Sequence, residues 1–266
     1  MLGDTILSLV INTFSRMLTY MITLQELCLY LNELLQIQNF TDYCKNGLQV
    51  EGSHRITKLA TAVSASLETI EEAIKMGVQG LIVHHGLFWN GDSHEITGIK
   101  KKKLFSLLKH DISLIAYHLP LDAHKEFGNN WKAAKEMGWT DLKPFETIGV
   151  MGKVHSQTKQ EFQKKLEGYY QHPAHAALFG NDKIETAALI SGGAYKSIQE
   201  AVLEKVDCFI TGNYDEPVWN IAREEKINFY ALGHSATERI GPKALGEHLK
   251  IKFGIDVQFI SDENPF

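Results

Sequence analysis

The chain has 266 residues, 44% hydrophobic and 22% charged, with only 6 prolines, a composition that excludes a disordered chain. A formal net charge of -5 supplies no basic field for a nucleic-acid backbone, and the one basic run, Lys100–Lys103, reads as a solvated helix face. Cys28, Cys44 and Cys208 are odd in number, far apart and lack a Cys-x-x-Cys pair, which excludes a disulfide frame and a thiolate zinc site and fits a reducing cytoplasm.

The opening MLGDTILSLVINTFSRMLTY is apolar, yet Asp4 stands where a signal peptide needs positive charge, and the run is too short and broken to cross a bilayer. From Met21, Thr23 and Glu26 have capping-box spacing ahead of LCLYLNELL, which is apolar at helical period. Residues 1–20 are therefore expected to be a disordered extension, with no membrane association.

Apolar runs of strand length then alternate with amphipathic stretches of helix length, the pattern of an α/β protein with mixed, largely parallel sheets. KLATAVSA (58–65) and GLIVHH (80–85) flank the helical LETIEEAIKMG, and ISLIAYH (112–118) follows IKKKKLFSLLKH. After a helix near NNWKAAKEMG comes DLKPFET, read as a turn-rich stretch with a boundary near residue 145. TIGVMGKV, TAALISGG (186–193), DCFITG (207–212), INFYALG (227–233) and DVQFI (256–260) are the strands of the second half. Two α/β lobes are expected, over 21–145 and 146–266, with the C-terminal segment able to pack back on the first.

In open α/β sheets ligands collect at the carboxyl ends of strands. Those ends carry His84-His85, His118 with Asp122, Ser191-Gly192-Gly193, Thr211-Gly212-Asn213, and His234 with Glu238. Adjacent histidines in a regular strand point to opposite faces, so His84 and His85 are expected to share a site only where Gly86 lets the backbone turn. His234 and Glu238 are four apart and share a face if SATER begins a helix. Singly, each group also reads as a capped turn or a helix-end pair. Together they form a set of imidazoles and carboxylates that suits Zn, Fe, Mn or Ni and can hold two ions if one carboxylate bridges. His172 and His175 in HPAH read as surface, and SGGAYKS lacks the spacing of a P-loop.

HHGLFW, YHLPLDAH followed by NNW, ISGGA, the FITG strand end, GHSATER and FISDENP occur in one order that resembles the GTP cyclohydrolase I type two homologues, also called the Nif-three-like family, from about Met21 to Phe266. The resemblance implies a two-lobe α/β fold, assembly as a toroidal homohexamer, and a dinuclear metal centre facing its inner cavity. Carried over by motif, His85, Asp122 and Glu238 bind one ion and His84 and His234 the other, with Glu238 bridging; His118 lies nearby as a possible catalytic group. The family's inserted middle domain has no room here, and Asn213 stands where relatives usually have an acidic residue.

The chemistry implied is hydrolysis. Two ions roughly 3.5 to 4 Å apart lower the pKa of a bridging water toward neutrality. The family name implies opening of the guanine ring of GTP with release of formate, and Gly192, Gly193, Lys196 and Arg239 are the candidates for contacting such a substrate. The alternatives are a metal-dependent hydrolase of another nucleotide or phosphoester, and a non-enzymatic metal-binding assembly or regulatory protein.

Overall fold

A computed structural model describes residues 20–262 and 264–266, so the extension expected over residues 1–20 lies outside the described residues but for Tyr20. Strand β1 (Ile22–Thr23) leads into helix α1 (Leu24–Leu34) through the expected cap, in which Glu26 N–H donates to Thr23 Oγ1 at 3.2 Å and Thr23 N–H to the Glu26 carboxylate at 3.0 Å. Leu24, Leu27 and Leu31 bury one stripe of α1. The first half continues with β2 (Gly47–Val50), β3 (Arg55–Ile56), β4 (Lys58–Ser64), α2 (Leu67–Met76), β5 (Gly80–His85), α3 (Gly98–Lys109), β6 (Ser113–Ala116), α4 (Leu119–Ala123) and α5 (Asn129–Glu136). The second half adds β7 (Thr140–Phe145), β8 (Gly149–Thr158), α6 (Lys159–Tyr170), β9 (His175–Leu178), β10 (Lys183–Leu189), α7 (Ile198–Leu203), β11 (Cys208–Thr211) and α8 (Pro217–Glu225). It closes with β12 (Asn228–Ala231), α9 (His234–Glu238), α10 (Ile240–Phe253) and β13 (Asp256–Phe259).

Two mixed sheets carry the fold, in the orders β13-β4-β5-β6-β2 and β7-β8-β10-β11-β12-β9. Three of the four pairings in the first are parallel, β2 with β6 being the exception. In the second only β10-β11 and β11-β12 are parallel, so the antiparallel share is larger than the alternation of strands and helices suggests. The surplus comes from the β7-β8 hairpin and from the antiparallel pairings of β8 with β10 and of β9 with β12 across longer connections, which the crossover pattern does not announce.

Strand alternation divides the core of each sheet between two helical layers. Ala60, Ala62, Leu81, Val83 and Leu114 face Ile70 and Ala73 of α2 and Leu104 and Leu107 of α3. Their neighbours Leu59, Ile82 and Ile115 face Leu27 and Leu31 of α1 and Leu245 and Leu249 of α10. In the other sheet Leu189 and Ile210 share a core with Trp131 and Ala134 of α5 and Phe162 and Leu166 of α6, while Ala188, Phe209 and Phe229 pack on α7 and α8. Helices of one half thus pack beside the sheet of the other, which brings the carboxyl ends of the two parallel strand sets together.

Two local expectations need correcting. DLKPFET is not turn-rich; it forms most of β7, an edge strand in which Pro144 is tolerated because one side needs no ladder donor. Asp141, at φ 53°, accompanies the register shift between Thr140 and Lys143. Gly86 does not turn the chain through a positive φ. It is required because a Cβ there would lie 2.3 Å from the Gln49 side chain, whose amide accepts Leu87 N–H at 2.7 Å and donates to Lys45 O at 2.7 Å.

Candidate metal centre

Strand β5 runs through His85, and its alternation aims His84 toward the α1/α10 side and His85 toward the α2/α3 side. Both reach one site nonetheless, because that site lies beyond the strand end and strand side chains lean along the strand. Their ring centres are 4.7 Å apart. The buried turn after β6 adds Asp122 on α4, and the short helix α9 adds His234 and Glu238 on one face, as their spacing predicts. Glu238 divides its oxygens: Oε1 lies 3.5 Å from His84 Nε2, while Oε2 lies 3.2 Å from both His85 Nε2 and His234 Nε2. Asp122 Oδ2 is 3.5 Å from His84 Nε2. All five residues come together.

Their grouping differs from the one implied by the resemblance. His84, Asp122 and Glu238 offer three ligand atoms within 4.8 Å of one another, and so do His85, His234 and Glu238; His84, His85 and His118 form a third such group that lacks a carboxylate. The two histidines of the adjacent pair thus exchange partners. His84 lies on the α1/α10 side with Asp122, and His85 on the side reached by His234.

A metal test can be made on the ring nitrogens. His84 Nδ1 donates to Tyr117 O at 3.0 Å and His118 Nδ1 to Asp42 Oδ1 at 2.7 Å; both oxygens are acceptors only, which places a proton on each Nδ1 and leaves Nε2 as the nitrogen available to an ion. His85 Nδ1 meets Ser64 Oγ at 2.9 Å and His234 Nδ1 meets the Asn213 amide at 3.1 Å. Each imidazole of the cluster is anchored at Nδ1, but only His84, His85 and His118 meet there an oxygen able to accept, the arrangement of metal-bound histidine; the Asn213 NH₂ is a donor, so His234 Nδ1 accepts from it. His84 Nε2 and Glu238 Oε2 are buried without a hydrogen-bond partner, which costs free energy unless a cation satisfies them. The donor set fits divalent ions bound by imidazole and carboxylate.

The electrostatics are those of a dry cluster. Burial opposes a charged His84, but Asp122 and Glu238 outweigh it and raise its pKa to about 9. Burial, reinforced by the neighbouring imidazoles, pushes His85 down to about 3 against the pull of Glu238. Burial also raises Asp122, with Glu238 adding to it. Glu238 resists burial and is held well below the usual carboxylate range by His85 and His84. His234, depressed by burial, is raised overall through its contact with Glu238.

Supporting residues went largely unread in the sequence. Asn129 Nδ2 and Ser191 Oγ donate to Asp122 Oδ1 at 2.8 and 3.0 Å, fixing the carboxylate so that Oδ2 faces His84. Asn130 Oδ1 accepts Ser191 N–H at 2.7 Å. Trp89 walls the cavity with its ring 5.1 Å from His118 and 5.9 Å from His85. Gly192, at φ 67°, lies so close that a Cβ would stand 2.1 Å from Glu238 Oε1.

The substrate candidates fare differently. Gly192 N–H donates to Thr237 Oγ1 at 3.0 Å and is spent inside the fold, so it offers nothing to a phosphate. Gly193 is exposed beside the His234 ring, and Lys196 is exposed over Tyr195. Arg239 is half-buried, its Nε lacks a hydrogen-bond partner, and it makes no ion pair among the described residues. His172 contacts Pro265 O at 2.9 Å and packs against Gly233, and His175 is exposed; neither belongs to a ligand group, but both line the cavity beside Gly212, Asn213 and Gly233. The three cysteines are free. No helix among the described residues is long and apolar enough to cross a membrane.

Known proteins agree with the fold and the motif order. A protein named GTP cyclohydrolase 1 type 2 homolog from Chlamydia pneumoniae is 49% identical over 247 residues, covering 91% of this chain and 98% of its own. One of the same name from Escherichia coli K12 is 39% identical over 242 residues, covering 90% and 98%. The crystal structure of TTHA1606 from Thermus thermophilus superposes with a TM-score of 0.88 at 35% identity, covering 92% of this chain and 100% of that one. The model of the family Duf34/NIF3 (NGG1p interacting factor 3) matches residues 22–265, and the chain belongs to that family.

Proposed function

We propose that the protein is a dinuclear metal-dependent hydrolase, and that ring opening of GTP with formate release is the reaction to test first. The observation that carries this reading is the divided carboxylate of Glu238, one oxygen toward His84 and the other toward His85 and His234, with no hydrogen bond to satisfy Oε2. Two such half-sites sharing one carboxylate are what a pair of ions needs. Divalent ions held there supply a Lewis acid for a substrate oxygen and an activated water at neutral pH.

The chain's own residues do the rest. Asn129 and Ser191 hold Asp122, and Tyr117 O holds His84, so the ligands are oriented before anything binds. Trp89 and the buried strand ends exclude bulk water on the β5 side. A cavity of about 490 Å³ adjoins the cluster through Gly212, Asn213 and Gly233 and is lined on its other side by the exposed Tyr214 and Phe266, a size suited to a small molecule.

That cavity is lined by Asp215 and Glu216 and by His172 and His175, with no lysine or arginine. Two carboxylates without a permanent cation disfavour a polyphosphate, which supports a second reading, hydrolysis of a substrate other than GTP. The relatives' name is the support for GTP itself. Protein loaded with zinc or manganese and given GTP should release formate, and His84→Ala and Glu238→Ala should abolish the release. Turnover of another nucleotide or phosphoester without formate release from GTP would select the second reading, and no turnover of GTP or of those substrates by fully loaded protein would contradict a hydrolase. The homohexamer and cytoplasmic location carried by the resemblance belong to the same proposal; elution as a persistent monomer would contradict that assembly.

A further inference from the structure

His118 sits beside the ligand cluster but is built into it differently. Its ring centre lies 5.0 Å from that of His84 and 5.7 Å from that of His85. His84, His85 and His234 each place Nε2 within 3.5 Å of a Glu238 oxygen, whereas the only carboxylate paired with His118 among the described residues is Asp42, at the opposite nitrogen. The ligand atom of His118 lies within 4.8 Å of those of His84 and His85, but, unlike theirs, its Nε2 is not committed to either carboxylate of the cluster.

Asp42 lies 76 residues away in the chain, and its side chain is 3% exposed. Each of its oxygens receives two donors. Oδ1 accepts from His118 Nδ1 at 2.7 Å and Cys44 N–H at 3.1 Å; Oδ2 accepts from Asn46 Nδ2 at 2.8 Å and Leu119 N–H at 2.9 Å. Asn46 returns through Oδ1 to accept His118 N–H at 2.8 Å. A carboxylate held by four donors stays ionised and stays in place. It can only accept, so the proton of neutral His118 is fixed on Nδ1.

From this arrangement we infer that His118 is a catalytic residue whose Nε2 accepts a hydrogen bond from the attacking water, and that Asp42 is the positioning residue that fixes its tautomer and direction. The inference rests on the hydrolase reading for the role of the water. The tautomer of His118 and the prediction that it binds no ion stand apart from it.

Asp42→Asn separates these parts. Its new amide NH₂ must replace one oxygen. At Oδ2 it would confront two donors, Asn46 Nδ2 and Leu119 N–H; at Oδ1 it confronts Cys44 N–H and an imidazole that can adapt. The amide therefore points at His118, which must accept at Nδ1 and move its proton to Nε2, turning the inward acceptor into a donor.

Long-range proton–nitrogen correlation on zinc-loaded protein carrying ¹⁵N-histidine reads this directly, with His118→Gln identifying the resonance. Nδ1–H is expected for His118 in the unmodified protein and Nε2–H in Asp42→Asn, with zinc per chain the same in both and in His118→Gln. Turnover in Asp42→Asn should fall about 100-fold in kcat with KM changed less than about threefold. Nε2–H in the unmodified protein overturns the inference even if Asp42→Asn does not fold. Loss of zinc in His118→Gln overturns it by making His118 a ligand, and unchanged kcat in Asp42→Asn overturns the role in orienting water. If the unmodified protein hydrolyses nothing, the hydrolase reading and the water-orienting role fall together, while the tautomer and zinc results still decide the Asp42–His118 pair.

Discussion

The parallel strands β10, β11 and β12 carry buried polar clusters at both ends, and the two are built on opposite principles. At the amino ends, Asp207 accepts from Glu185 N–H, Thr186 N–H, the Thr186 hydroxyl and the Asn181 amide at 2.9 to 3.1 Å. Asn228 beside it accepts Gly180 N–H at 3.1 Å and donates to Asn181 O and Asp207 O at 2.9 and 3.2 Å. At the carboxyl ends, where β5 of the other sheet also arrives, Glu238 and His84 are buried as Asn228 is, yet Oε2 and Nε2 have no hydrogen-bond partner. Polar burial by itself therefore does not mark function; convergent groups left unsatisfied do, because the fold bears their cost for something it binds.

The comparison breaks first at Glu238. Glu238→Gln should cut bound metal from two ions per chain to one or none and lower any hydrolysis by more than about 1,000-fold, because one oxygen serves each half-site. Elemental analysis checks this, and retention of two ions would erase the distinction between the two ends. Gly192→Ala should weaken metal binding by about 10- to 100-fold, since its Cβ would displace Glu238 Oε1 and its φ of 67° resists a side chain. A chelator competition measures that loss.

At the other end the signature should invert. Asn228→Leu should lower unfolding free energy by about 1–3 kcal/mol in urea while metal content stays at the unmodified level, because it takes the side-chain partner from Gly180 N–H and Asn181 O, while Asp207 O keeps the backbone N–H of residue 228. Asp207→Asn should cost less, about 1 kcal/mol, its contacts being partly screened by solvent. Burial opposes ionisation of Asp207, but Glu185 N–H and the Asn181 and Thr186 donors outweigh it and hold its pKa below the ordinary value of 3.8. Its contribution is thus present above pH 3.8 and lost as pH falls through the lower folded value. Unmodified protein and Asp207→Asn should therefore converge in stability on the acid side and separate above it; a constant gap down to the lowest pH would remove the charge from the explanation.

Sequence spacing exposed the ligands better than their surroundings. His234 and Glu238 share a helix face at four-residue spacing, and His84-His85 ends an apolar strand, so both are visible in one dimension. Which of the adjacent histidines joins Asp122 is not, since it depends on which face of β5 each leaves. Asp42 gave no signal, because its partner is 76 residues away and D-x-C-x-N reads as an ordinary turn. Gly192 was legible as special but for the wrong reason: its N–H is spent on Thr237, and its missing Cβ makes room for Glu238. Strand β7 was lost because Pro144 signals a turn in sequence and an edge in a sheet.

The most direct measurement is an anomalous-scattering map from crystals of protein loaded with zinc. Two peaks are predicted, one bounded by His84, Asp122 and Glu238 and the other by His85, His234 and Glu238, with His118 bonded to neither. An empty cluster, or a single ion held by His84, His85 and His118, would contradict the account.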